Sequence, residues 1–175
     1  MRKYIAALFV VGLVLTGCGA RQEAAPPPPT PTPKVTKTAG QIATAMKTRL
    51  PQVSEVIIWT ETNDPSRLLG RPGQYTSAAT LIDDRTWPKP GDDFPVGQPC
   101  VHADPGVNCG ASIEVFATAA DALRRSTYIQ NLTQNATWLG VEYHDVEGAA
   151  LLRVIGVLPP SVNRLYVAEF RRALK

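Results

Sequence analysis

The sequence predicts an α+β fold: a mainly antiparallel sheet of about five strands with helices packed on one face. Three observations carry this. Short segments rich in β-branched and apolar residues recur along the chain. Longer segments between and after them repeat their apolar residues at helical spacing. The joins between 53–61 and 75–82, and between 141–145 and 149–157, are too short for the crossover that parallel neighbours need, so the helices should lie against an antiparallel sheet.

The elements follow in order. Thr38-Ala39-Gly40-Gln41 has the form of a capping box, and Ile42, Ala45, Met46 and Leu50 then share one helical face until Pro51 stops it. VSEVIIWTE (53–61) and YTSAATLI (75–82) are strand-like. From Asp83 to Gly110 no periodicity survives, so a long loop is expected there, with Trp87 and Phe94 packing it down. ASIEVF (111–116) is a third strand, followed by a helix capped by Thr118 and Asp121. Its expected inner face is Ala119, Ala122, Leu123, Ser126, Ile129 and Leu132, leaving Asp121, Arg124, Arg125 and Tyr128 outward. The segment 141–145 alternates as a half-buried strand with His144 facing out, and 149–157 returns beside it. Pro159-Pro160-Ser161 opens a last helix with Val162, Tyr166, Phe170 and Ala173 inward.

Ahead of this domain, 39–175, lie two other segments. Met1-Arg2-Lys3 is basic and Ile5 to Leu15 is almost wholly apolar, shorter than the roughly 20 residues a membrane span needs. Residues 1–17 therefore read as a signal peptide. Leu15-Thr16-Gly17-Cys18 resembles the lipobox of bacterial lipoproteins. That resemblance implies diacylglycerol on Cys18, cleavage before it, and a fatty acyl chain such as palmitate on the new amino terminus. Two or more acyl chains anchor a protein stably. The expected location is the extracytoplasmic face of the cell membrane. Residues 18–38 then form a lipidated, Pro-rich tether, whose PPPPTPTP run favours an extended polyproline II spacer.

An exported chain meets oxidising conditions, so Cys100 and Cys109 are expected to form a disulfide. A metal site with His102 is the rival reading, but it lacks a fourth ligand and matches no zinc spacing. Without Arg2 and Lys3, Lys plus Arg fall from 18 to 16 against 15 Asp plus Glu, a net of +1. Nothing here favours a nucleic-acid partner.

ETNDPSRLLGRPGQY, SIEVFATAADALRRSTYIQ, VEYHDVEGAALLRV and the closing Pro-Pro helix together resemble a group of small uncharacterised bacterial lipoproteins. The resemblance covers residues 55–172 and implies a location rather than a reaction.

No phosphate loop, HExxH, nucleophile elbow or Cys-x-x-Cys occurs. No catalytic residue, cofactor or metal is therefore assigned. The leading expectation is a non-catalytic binding or interaction module of the envelope, with an envelope protein or glycan as partner. One alternative is a glycan hydrolase using carboxylates within 61–84; another is a phage-derived superinfection-exclusion lipoprotein. The candidate binding residues are Asp64, Arg67, Arg71, Tyr75 and Asp84. The competing expectation is structural: Leu68 and Leu69 plug into the core, and Arg71 pairs with Asp64 or Asp84.

Overall fold

The computed structural model describes residues 35–86, 100, 106–136 and 139–175. Cys18, the tether up to residue 34, Trp87, Phe94 and His102 lie outside the described residues. The helices are α1 (Ala39–Lys47), α2 (Ala119–Asn135) and α3 (Pro160–Leu174); the strands are β1 (Val53–Ile58), β2 (Tyr75–Asp83), β3 (Gly110–Phe116), β4 (Glu142–Glu147) and β5 (Ala150–Ile155). All five strands form one sheet in the order β1-β2-β3-β5-β4, and every neighbouring pair is antiparallel. The α+β class and the antiparallel sheet stand as expected.

Local chemistry sets the element ends. Thr38 and Gln41 close the capping box on α1, which satisfies amide groups that the first helical turn leaves unpaired. Thr118 Oγ1 accepts from the Asp121 N–H to start α2. Pro160 sits at the first position of α3, where its missing N–H costs nothing. Gly148, at φ +58°, supplies the turn between β4 and β5.

Alternation along the strands sorts side chains onto two faces. Ala79, Leu81, Ala111, Ile113, Leu152 and Val154 meet Ile42, Met46, Tyr166 and Phe170, so α1 and α3 cover one face. Ala78, Phe116 and Leu151 meet Ala122 of α2 together with Trp59 and Tyr75, so α2 lies on the other. This corrects the expectation of helices on a single face. The inner side of α2 also differs from the expected stripe. Ala122, Ser126 and Ile129 are buried, whereas Leu123 and Leu132 are exposed. Arg125, expected outside, points in and pairs with Glu114. The cause lies in the sheet beneath. β3, β4 and β5 turn Glu114, Glu142, His144 and Arg153 toward α2, so small and hydrogen-bonding residues fit there better than leucine. In α1 Ala39 and Ala43 are buried, whereas Ala45, expected inside, is exposed.

The Cys100 and Cys109 sulfurs are at bonding distance, 2.09 Å apart, and pack with Ile82 at the far end of the α2 face. Reducing this bond in the folded protein is expected to cost about 2.5–3 kcal/mol, from the chain entropy of a short closed loop. Denaturant midpoints measured with and without reductant check this. Coincident midpoints would count against it.

Candidate functional site

The loop between β1 and β2 is organised by one carboxylate. Asp64 is 4% exposed. Its Oδ1 accepts from the Ser66 N–H at 2.9 Å and the Tyr75 hydroxyl at 2.7 Å. Its Oδ2 accepts from the N–H groups of Leu68 and Leu69 at 2.6 and 2.8 Å. Burial alone would raise the Asp64 pKa; the Tyr75 hydroxyl and the three backbone donors outweigh it and hold the pKa below the usual value. Burial, and then Asp64, push the Tyr75 hydroxyl above its ordinary pKa. Its ring stands edge-on to Trp59 and Phe116, with centroids 5.7 and 6.1 Å away. Leu68 and Leu69 pack partly buried on the same cluster.

Outside this hub the loop shows its cations to solvent. Arg67 and Arg71 are exposed, and neither forms an ion pair with a described residue. Arg67 sits at φ +52°, a left-handed conformation that non-glycine residues seldom adopt. The expected pairing of Arg71 with Asp64 or Asp84 is not formed, because backbone amides and Tyr75 already fill the Asp64 oxygens. Asp84 lies beyond the opposite end of β2. Asp83 lies eight positions beyond Tyr75, which is about 26 Å of strand. Of the five candidate binding residues, Asp64, Arg67, Arg71 and Tyr75 therefore share one locality, and Asp84 does not belong to it. Asp83 has its own role at that far end, binding the Arg85 side chain and accepting from the Tyr166 hydroxyl at 2.8 Å.

The same distance bears on carboxylate catalysis. Glu61 and Asp64 are separated from Asp83 and Asp84 by the length of β2, far beyond the roughly 5–9.5 Å at which paired glycosidase carboxyls work. Asp64 is also held ionised, the opposite of what a general acid needs.

Two clefts flank the loop. One, of about 340 Å³, has Leu68, Gly73 and Gln74 on its loop side, and Asp121, Arg124, Arg125 and Tyr128 of α2 opposite. Arg125 stitches the walls together. Its guanidinium bonds Glu114 Oε2 at 3.2 Å, reaches the Ser66 hydroxyl at 3.5 Å and lies 6.0 Å from the Tyr75 ring centre. The second cleft, of about 300 Å³, is lined by Glu61, Asp64, Arg67, Leu69 and Arg71.

Beneath α2 runs a buried ionic network that sequence reasoning missed. Arg153 donates to Glu114 Oε1 at 2.7 Å and to both Glu142 oxygens at 2.8 Å. His144, expected at the surface, has a side chain only 2% exposed. Its Nδ1 lies 2.9 Å from Ser126 Oγ and its Nε2 lies 3.1 Å from Glu142 Oε2. Asp145 points the other way, to Arg171, so adjacent strand residues form no dyad, as expected. Ser126–His144–Glu142 has the connectivity of a nucleophile, base and acid. However, Ser126 is 5% exposed on the sheet-facing side of α2, Arg153 holds the Glu142 carboxylate, and neither cleft includes Ser126. The three residues pack α2 onto the sheet.

Burial alone would raise the Glu142 pKa. The charge of Arg153 and the hydrogen bonds from His144 and Arg153 overturn that and lower it from 4.5 to about 2. A folded-state pKa below the unfolded one gives stability that is complete above about pH 4.5 and is lost as pH falls toward 2. Melting temperature is expected to drop across that window. Glu142→Gln should start lower and show a flatter acid limb. An acid limb identical to wild type would refute this role.

Among the described residues no group of His, Cys, Asp or Glu is arranged to hold a metal ion, and no helix is long and apolar enough to cross a membrane. No family model, curated protein or solved structure matches the chain.

Proposed function

We propose that this chain is a lipid-anchored lipoprotein on the extracytoplasmic face of the membrane, working as a non-catalytic binding module of the cell envelope. Residues 64–75 form its contact surface. One observation carries this: two arginines with no ion-pair partner among the described residues, Arg67 and Arg71, stand exposed on a loop whose backbone is fixed by a buried carboxylate. Rigid loops with exposed charged residues are where binding chemistry concentrates, and pre-organisation reduces the entropy lost on binding. Guanidinium groups favour carboxylate or phosphate partners, which they engage bidentately. The lipobox motif and the Pro-rich tether support the anchor and the spacing from the membrane.

The test compares the full chain with its Arg67→Ala/Arg71→Ala variant for co-sedimentation with purified envelope fragments. The variant should melt within about 3 °C of wild type, since each exposed substitution shifts stability by under about 0.5 kcal/mol. It should bind at least roughly tenfold more weakly, and wild-type binding should weaken with salt. Equal binding by both proteins would refute the assignment. For the anchor, Cys18→Ser should abolish incorporation of labelled fatty acid and release the protein from membranes. Equal labelling of the mutant would exclude lipidation at Cys18.

A further inference from the structure

We infer that the cleft between the 64–75 loop and α2 is a saccharide site that takes one face of a neutral sugar ring. The inference rests on the binding-module reading above and names a ligand class for the cleft beside that loop. At about 340 Å³ the cleft falls within the size range of small-ligand sites. Both walls are fixed, one by the Asp64 hub and the other by a helix clamped to the sheet through Arg125 and Ser126.

The chemistry of the walls selects the ligand. Asp121, Arg124, Arg125 and Tyr128 recur at helical spacing, so α2 offers them on one side. Tyr128 is 58% exposed, an aromatic ring left in solvent at the cleft wall. A sugar ring carries an apolar C–H face and a rim of hydroxyls that both donate and accept. Tyr128 meets the face; the Asp121 carboxylate, the Arg124 guanidinium and the Gln74 amide meet the rim as planar acceptors and donors. Asp121 is oriented beforehand by Thr118 Oγ1 at 2.7 Å and by Arg124.

Ion pairing, rather than net charge, distinguishes this cleft from its neighbour, which Glu61 and Asp64 line together with two arginines. Asp121 balances Arg124, and the buried Glu114 balances Arg125. The cleft thus presents directed hydrogen-bonding groups with little net charge, which suits a neutral polyol better than an anion. Arg67 and Arg71, which have no such partner among the described residues, line the other cleft. Gly73 marks how closely the walls approach, since a Cβ there would lie 3.1 Å from Arg124 Nη2.

The test is calorimetric titration of the full chain in detergent micelles with chitotetraose, maltotetraose and cellotetraose, and with inorganic phosphate as the anionic control. Saturable binding of at least one saccharide is expected, without competition from phosphate. Tyr128→Ala should weaken it roughly tenfold or more, and Tyr128→Phe should stay within about twofold, because the ring face makes the contact. No saturable saccharide binding by folded protein, or equal binding by Tyr128→Ala, would overturn the inference. If saccharide binding fails while envelope binding still depends on Arg67 and Arg71, the binding module stands and only the saccharide assignment falls.

Discussion

Arg153→Met is expected to destabilise the domain by about 3–5 kcal/mol, the usual consequence of removing one partner from a buried ion pair. Arg153 is 8% exposed and is the cation that both Glu114 and Glu142 contact. Its loss leaves Glu142 facing only His144, and Glu114 facing only Arg125. A methionine fills much of the volume, so the cost is that of uncompensated buried charge rather than of a cavity. For a domain of this size the melting temperature should fall by roughly 10–15 °C. Arg153→Met/Glu142→Leu should recover most of the loss, because both partners of the bidentate pair then disappear together. Thermal melts at pH 7 decide this. A double variant no more stable than the single would show that Arg153 acts through packing rather than through charge.

This network also shows where the sequence is silent. Strand positions are legible because period-two alternation and turn residues are local signals, and the capping box of α1 and the Thr118 cap of α2 are local too. What alternation does not reveal is whether both faces of a strand are covered. His144 reads as outward because Val141 and Tyr143 read as inward, which presumes solvent on the second face. α2 covers that face, and its buried side is made of Ala122, Arg125 and Ser126 rather than Leu123 and Leu132. A hydrophobic stripe finds the side of a helix that meets an apolar sheet. It fails for a helix that meets Glu114 and Arg153, because no local pattern shows that the sheet turns charged residues toward that helix.

The loop was legible in part. Leu68 and Leu69 as plugs, and Asn63-Asp64-Pro65 as a turn, follow from local chemistry. The choice of Asp64 as hub does not, since Tyr75 reaches it across eleven positions. Charge alone groups Asp84 with Arg71. The length of β2 separates them, and that length was already visible in the Tyr75–Ile82 run.

Asp64→Ala is the substitution that separates scaffold from contact surface in this loop, and it is expected to cost about 3–4 kcal/mol. It would leave the N–H groups of Ser66, Leu68 and Leu69 and the Tyr75 hydroxyl without their acceptor. Hydrogen bonds to a charged group contribute roughly 1.5–3 kcal/mol each, but several bonds to one carboxylate do not add. Tyr75→Phe removes only one of them and should cost about 1.5–3 kcal/mol. Arg71→Ala should change stability by less than about 0.5 kcal/mol, because no described partner holds its guanidinium. Tyr75→Phe combined with Arg71→Ala should therefore match Tyr75→Phe alone in denaturant midpoint. A clearly additive loss would mean that Arg71 belongs to the scaffold, and the contact surface would then lose its second cation. Asp64→Ala is also expected to weaken envelope binding although Asp64 itself is buried. With its amide anchors gone, the loop samples many conformations, and binding must then fix it again at a cost in entropy.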